Sequence, residues 1–541
     1  MTDLLESRDV VAPEALPEAG ESMHPFAALG LAPELVRAVQ DLGFEQPTAV
    51  QSRAIPLALP TAGAHDATQG DGAHVFNDLM VSSQTGSGKT AAFLLPVLHT
   101  LLEQQAQAER AAREAFQRAC DEAAARGEAP PKRPKRKNPT DPRNFKPAEP
   151  GALVLCPTRE LAQQVANDAI DLVRHCKGLR VAHVVGGMPY AMQIAKLQNA
   201  NLVVATPGRL LDLQRGGQLR LQDVQFLVVD EADRMLDLGF ADDLAEIHRL
   251  TQQRGQTMMF SATFAPRIQQ LAMRVMHEGG ASVRKLQIDT PQERHVNIRQ
   301  VLFWADNPQH KRALLDHWLR DTAIDQAIVF ASTQVECDAL AQDLQQAGFA
   351  AVALHGALSQ GLRNRRLQAL RNGMVQILVA TDVAARGIDV PTITHVFNFG
   401  LPMKAEDYTH RIGRTGRAGR DGIAVTFAEY RDRFRIADIE AYTRQPFKAE
   451  VLPGLEPRAR VAPAGKPNGF GKGGRSGAGP RHGAPAGRGK PSHGESRSQD
   501  RNESRGEGRG HRGAPASQDK RGLGKVFVPR DGKKRAYQRT R

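Results

Sequence analysis

The sequence predicts two open α/β sheets of parallel strands in tandem, followed by a disordered basic tail. Three observations carry this. Short continuous runs of Val, Leu and Ile recur between stretches of helical period, as parallel strands covered on both faces require. The pattern repeats with a similar rhythm in a second half of the chain, so two related units are expected. Finally, the composition turns to Gly, Arg, Pro and Ser near residue 455, where too little apolar surface remains to offset the entropy of ordering.

In order along the chain, residues 1–24 are acidic and Pro/Ala-rich and are expected to be loose. The first unit is placed at 25–284. Its strands include "ALVLCPTREL", "NLVVATPGR", "FLVVDEAD" and "TMMFSAT", each an apolar run ending in a polar loop. In such sheets ligands gather at the carboxyl ends of the strands. Two insertions interrupt the unit. Residues 60–78 are Gly/Ala/Asp-rich and read as a mobile loop. Residues 103–149 begin with an Ala-rich charged helix over 103–129. They continue into the basic run "PPKRPKRKNPTDPRNFK", either an RNA contact or a solvated linker. A polar linker follows at 285–296. The second unit spans 297–454, with strands in "QAIVFAST", "AVALHG", "VQILVATD", "THVFNFG" and "GIAVTF".

Bulk properties narrow the classes. The 541 residues are 41% hydrophobic but only 5% aromatic, so cores exist and part of the chain does not fold. No apolar run suits a membrane span and the N-terminus lacks a signal pattern, so a cytoplasmic protein without a membrane partner is expected. Four cysteines show no metal-ligand spacing, which argues against a zinc site or a disulfide framework. Of the net charge of +13, the tail holds 22 Lys/Arg against 7 Asp/Glu, leaving the body close to neutral. A tail of that charge seeks a polyanion, most plausibly nucleic acid, or serves solubility.

Chemistry is concentrated in a few loops. "SSQTGSGKT" follows a strand and opens an apolar-periodic helix, as a phosphate loop must, although Ser83 replaces the first glycine of the general pattern. The backbone of Thr85, Gly86, Ser87 and Gly88 would cradle phosphates. Lys89 would neutralise them and Thr90 would hold Mg²⁺. "VVDEAD" places Asp230 as a second Mg²⁺ anchor and Glu231 as the group preparing a water, unless the acids merely suit a helix start. Ser261 and Thr263 of "SAT" offer hydroxyls that would reach Asp233. In "HRIGRTGRAGR", Arg414 and Arg417 lie on one side of a helical turn and suit an arginine finger, or a basic surface helix.

Taken together with "GFEQPTAVQ", "PTREL", "TPGR", "VFAST", "QGLR" and "ATDVAARGID", these motifs in this order resemble the DEAD-box RNA helicases over about Phe26 to Pro453. The resemblance implies two RecA-like domains, ATP and Mg²⁺ as cofactors, and RNA as partner. It implies local unwinding or remodelling of RNA coupled to ATP hydrolysis, or alternatively an ATP-regulated clamp or annealing chaperone. It assigns Gln51 to the adenine edge, Phe44 to stacking on adenine, Phe26 to the isolated upstream aromatic that supports this site, and Asp389 to the ribose. It makes His410 the tie between the last motif and the cleft, and it places RNA contacts at Arg159, Gly187, Thr206, Arg209, Arg363 and Thr381. Ribosome-assembly or RNA-degradation complexes are compatible partners. The arrangement of core and basic tail is most like the bacterial RhlE-type subgroup. Two departures stand out: the insertions, and Ala418 where some relatives place an aromatic.

Overall fold

The computed structural model describes residues 23–60, 76–83, 86–129, 131, 146–280, 283–288, 297–385, 388, 390, 392–416 and 420–458. It contains two seven-stranded sheets, and every strand pair in them is parallel. The first is built from β1 (Leu79–Ser82), β2 (Ala152–Leu155), β3 (Val181–Val184), β4 (Leu202–Ala205), β5 (Phe226–Val229), β6 (Gln256–Ser261) and β7 (Arg284–Gln287). Their order across the sheet is β3-β4-β2-β5-β6-β1-β7. The second holds β8 (Ile298–Ala305), β9 (Gln326–Phe330), β10 (Ala351–Leu354), β11 (Ile377–Ala380), β12 (Ile393–Asn398), β13 (Gly422–Glu429) and β14 (Ala449–Glu450). Its order is β10-β11-β9-β12-β13-β8-β14, the same path shifted by seven.

The continuous apolar runs have a simple cause. Successive side chains of a strand point to opposite faces. In the first sheet Leu79, Val81, Val154 and Val228 enter one core, while Met80, Leu153, Leu155 and Val229 enter the other. The second sheet repeats this, with Val329, Val379 and Phe397 on one face and Ile328, Leu378 and Val396 on the other. Both faces are therefore covered, and polar groups are left to the strand ends.

The insertions differ from expectation in detail. Residues 61–75 of the 60–78 segment lie outside the described residues. Its end is fixed, however. Phe76 meets Phe226 edge-on at 5.2 Å, and Asp78 is buried. The Asp78 carboxylate accepts from the backbone of Thr257 at 2.6 Å and of His277 at 2.9 Å, and from the His277 ring at 2.9 Å. Asp78 thus ties β6 to the end of the unit and is not part of a mobile loop. The helix expected at 103–129 is no separate element. It continues the helix that opens at Lys89 and runs unbroken over Lys89–Ala125, about 55 Å at 1.5 Å per residue. The stretch 285–296, expected to be linker, gives Lys285, Leu286 and Gln287 to β7, which pairs with β1. An edge strand with one buried residue in four has no apolar signature in sequence, which is why it reads as linker. The N-terminal segment up to residue 22 and the tail from 459 lie outside the described residues.

Candidate nucleotide and RNA site

The phosphate loop is built on β1. Ser83 is fully buried directly after the strand, and its N–H donates to the Ser261 carbonyl at 3.2 Å. Its hydroxyl meets that of Ser87 at 2.6 Å, and its carbonyl accepts from Lys89 Nζ at 2.7 Å. The residue that departs from the general pattern therefore ties the two ends of the loop together. Thr85 lies outside the described residues. Gly88 caps the long helix at φ +90°, a backbone conformation that favours glycine, and a Cβ there would sit 2.6 Å from Gln51 Nε2 and push that side chain aside. Gln51 explains the close approach. Its Nε2 donates to the Gly88 carbonyl at 3.1 Å and its Oε1 accepts from Thr48 N at 2.9 Å, within a capping box on the helix Ala49–Ala58. Phe44 is 39% exposed, whereas Phe26 is wholly buried in the core.

Asp230 ends β5 beside the loop. It is buried, and its Oδ1 accepts the Glu231 N–H at 2.9 Å. Burial and the neighbouring Glu231 push its carboxyl up to about 7, against the pull of Lys89. Glu231 takes left-handed backbone angles, φ 49° and ψ 53°, at the start of the helix Ala232–Asp237. This is uncommon for a residue with a Cβ and marks local strain. Its Oε2 is buried and has no hydrogen-bond partner among the described residues. The hard oxygen donors of Thr90 and Asp230, beside a crowded pair of acids, fit Mg²⁺.

Asp233 faces the second sheet. The His410 ring lies 3.5 Å from its Oδ2. Burial alone would raise the Asp233 carboxyl. His410, Arg234 and Lys89 outweigh that and hold it well below the usual carboxylate range. Burial and Arg234 in turn keep His410 below its ordinary value, so near neutral pH a neutral imidazole faces a carboxylate. The expected link from "SAT" to Asp233 is not among the described hydrogen bonds. Ser261 Oγ accepts from Thr263 N at 3.4 Å, and Thr263 Oγ1 is buried with no partner among the described residues. "SAT" is bonded instead to the loop strand, through Ser83 N and through Ser82 Oγ to the Ala262 carbonyl at 3.0 Å. Arg414 is buried, and its described hydrogen bonds go to the carbonyls of His410 at 3.2 Å and Ile388 at 3.0 Å. Arg417 and Asp389 lie outside the described residues.

Farther along the strand ends is a cavity of about 350 Å³ with walls from both sheets. Arg159, Thr206 and Arg209 line it from the first, and Arg363 from the second. Gly187 has φ +79°, and a Cβ there would lie 2.7 Å from Arg159 Nη1, so the glycine lets the arginine approach closely. Arg209 donates to the Met188 carbonyl at 3.0 Å and stacks on Tyr190 at 4.3 Å. Arg363 is engaged between the sheets, with Nε donating to Glu160 at 2.9 Å and Nη1 to the His355 carbonyl at 3.0 Å. Thr381 is not on the cavity wall. Its N–H closes on the Leu354 carbonyl at 3.2 Å.

Comparison with known proteins agrees with this geometry. A DEAD/DEAH box helicase family model matches residues 48–271, and a helicase conserved C-terminal domain model matches 310–419. The ATP-dependent RNA helicase SrmB of Escherichia coli is 39% identical over 447 residues, covering 82% of this chain and 87% of that protein. The chain belongs to the DEAD-box ATP-dependent RNA helicases. This helicase is also 34% identical over 440 residues to the RNA helicase RhlB of Pseudomonas syringae, across 81% of this chain and 97% of the relative. Among solved structures, Saccharomyces cerevisiae Dbp5 bound to RNA and ADP BeF3 matches with a TM-score of 0.62 at 30% identity. The match covers 79% of this chain and 96% of that one. The two sheets are thus two RecA-like domains.

Sequence reasoning passed over several residues of the helicase site. Gln360 donates to Glu160 at 2.8 Å and accepts from Arg159 at 3.2 Å, which joins the domains across the cavity. Glu160 and Gln360 stand inside motifs read for their arginines, and the acid next to Arg159 is the signal the sequence offers. Arg234, buried and donating to Asp407 across the domains, carries no such signal, because each looks in sequence like an ordinary charge on a helix.

Proposed function

We propose that this RNA helicase hydrolyses ATP at the junction of its two domains and separates RNA strands locally as that junction closes. The observation that carries this reading is the meeting of Asp233 with His410. It brings the phosphate-loop domain and the arginine-bearing helix to one buried interface. In this reading Lys89 and the loop amides bind the phosphates, and Glu231 accepts a proton from the attacking water. Thr90 and Asp230 would hold Mg²⁺, which supplies neutralising charge when bound. Gln51 and Phe44 serve the adenine, Asp389 the ribose, and Arg414 and Arg417 the γ-phosphate. Arg159, Gly187, Thr206, Arg209, Arg363 and Thr381 serve the RNA sugar-phosphate backbone, without reading sequence.

Dbp5, a solved relative, is bound to RNA and ADP BeF3, and this supports the binding of RNA and nucleotide here. A cytoplasmic setting and a role in ribosome assembly or RNA degradation suit a bacterial-type helicase of this kind. Sequence similarity runs to SrmB and RhlB, so RhlE-type behaviour rests on the core-and-tail arrangement alone. The test is RNA-stimulated ATP hydrolysis alongside strand separation of a short duplex. Glu231→Gln is expected to lower turnover by about 10²–10⁴-fold. Near-normal turnover in that variant would sink the assignment. ATP-dependent retention on RNA without strand separation would favour the clamp.

A further inference from the structure

Among the described residues four Phe or Tyr rings are exposed: Phe44, Tyr190, Tyr430 and Phe434. Phe44 serves the adenine in the reading above. Tyr190 lies under Arg209, which lines the cavity walled by both sheets. Tyr430 and Phe434 belong to neither place. They follow β13 in the run "YRDRFR", Tyr430 to Arg435. Tyr430 is 52% exposed and Phe434 67%. The Arg433 guanidinium lies over both rings, 4.7 Å from the centre of Tyr430 and 4.2 Å from that of Phe434. The contact of Arg209 with Tyr190 is thus repeated here with two rings.

Packing does not require this patch. Glu429 and Asp432 form a capping box around the short turn Tyr430–Asp432, and the helix Arg433–Thr443 buries Ile436 and Ile439. Phe434 lies about 200° around that helix from Ile436 and so faces solvent. Glu429 and Asp432 turn inward onto Lys311, at 3.3 and 3.7 Å. The arginines stay outside. Arg431 bonds to Glu429 at 2.9 Å and is still 73% exposed, and Arg433 and Arg435 are exposed as well. With carboxylates inside and arginines outside, the face is positive. The helix has no acid in its first turn, where the macrodipole favours one, and carries Arg433 and Arg435 there instead. Charges set against a local rule in this way point to a ligand of opposite sign.

Rings for bases and arginines for phosphates are the chemistry of sequence-tolerant single-strand binding. A peptide would need an apolar groove or an open sheet edge. The cavity beside the patch, about 360 Å³, has charged walls in Lys311, Glu336, Glu429, Arg431, Asp432 and Arg435. The described chain also ends here. The His310 ring bonds to the Leu455 carbonyl at 3.0 Å and Arg458 N donates to Asp306 at 3.0 Å, beside Pro308 and Lys311 of the cavity wall. The basic tail therefore departs next to the patch, and its like charge makes it no cover for it.

We propose that Tyr430, Arg431, Arg433, Phe434 and Arg435 form an accessory surface for single-stranded RNA on the second domain. The proposal rests on the helicase reading above. Arg363, on the cavity shared by the domains, follows β10, which lies four strands from β13, about 19 Å across the sheet. An RNA strand leaving that cavity meets the patch and then the tail that starts beside it.

The affinity of the full chain for a fluorescent single-stranded RNA oligonucleotide, measured without nucleotide over a range of salt, tests this. RNA-stimulated turnover of the unaltered protein tests the helicase reading by itself, so the two failures are distinguishable. Tyr430→Ala with Phe434→Ala is expected to weaken binding about 5–30-fold and to keep the salt slope, because stacking is lost. Arg433→Gln with Arg435→Gln should lower the salt slope by about 1.4, the share of two phosphate contacts. Tyr430→Phe with Phe434→Tyr keeps both rings and should bind as the original does. The RNA concentration for half-maximal turnover should follow the affinity in each variant. All these positions are exposed, so the unfolding midpoint should not move. Binding within twofold of the original in both the alanine and the glutamine pair would overturn the proposal and give this face to a protein partner. A loss in the ring-swapped pair equal to that of the alanine pair would overturn it as well.

Discussion

The two sheets follow one strand order, yet only the first carries a phosphate loop, and two lysines show the difference. Lys89 opens the helix after β1, and Lys311 lies in the first turn of the helix Pro308–Leu319 after β8, the strand in the matching position. Lys89 is held by a loop carbonyl. Its ammonium is poised over acids and the loop, where a polyanion adds to the arrangement. Lys311 is 8% exposed and is paired with Glu429 at 3.3 Å and Asp432 at 3.7 Å. Asn307 caps its helix through His310 N at 2.9 Å, where the first sheet has a glycine-rich turn. The lesson is that sheet topology offers a place for a charged group, and local side chains decide whether the charge serves a ligand or the fold.

The widest separation should come from the lysines themselves. Lys89→Ala is expected to reduce RNA-stimulated kcat by about 10²–10³-fold or more, since a preorganised donor to the phosphates is lost. Its thermal unfolding should scarcely move. Lys311→Met should do the reverse. It takes a buried cation from Asp432 and leaves Glu429 with Arg431, and it should cost about 3 kcal/mol of stability, read in denaturant unfolding. Turnover per folded molecule should persist at low temperature. If Lys311→Met were as dead as Lys89→Ala with its fold intact, the contrast between the sheets would fail.

A smaller effect concerns Asp78, at the foot of β1. Asp78→Ala removes the acceptor of two backbone N–H groups and of the His277 ring. It should destabilise by about 2–3 kcal/mol, the usual cost of stranding buried donors of a charged acceptor. An unchanged unfolding midpoint would return that residue to the loop. The mildest effect on chemistry belongs to the tail. Deleting Glu456–Arg541 removes all of the excess positive charge and should weaken RNA binding and flatten its dependence on salt, leaving kcat at saturating RNA intact. A salt slope that does not move would detach the tail from RNA.

Much of this was legible in the residues. The doubled strand-helix rhythm pointed to two sheets, because apolar runs on both faces have few other uses. The phosphate loop, Asp230 and Glu231 were readable because their chemistry is local: a turn, a strand end, a helix start. Edge strands β7 and β14 were not readable, since their pairing partner and not their composition makes them strands. Ser83 looked like a defect in a pattern, and only packing showed its hydroxyl against Ser87.

What the sequence alone determined is the set of parts: the fold class, the nucleotide loop, the acidic motif and the placing of charge in the tail. Each is fixed by neighbours within a few residues, where periodicity and turn chemistry operate. What only the tertiary structure decided is which parts meet. Asp233 with His410, Glu160 with Arg363 and Arg234 with Asp407 join residues some two hundred positions apart. No local rule pairs charges at that distance, because their energy comes from the water they lose together when two separate domains touch.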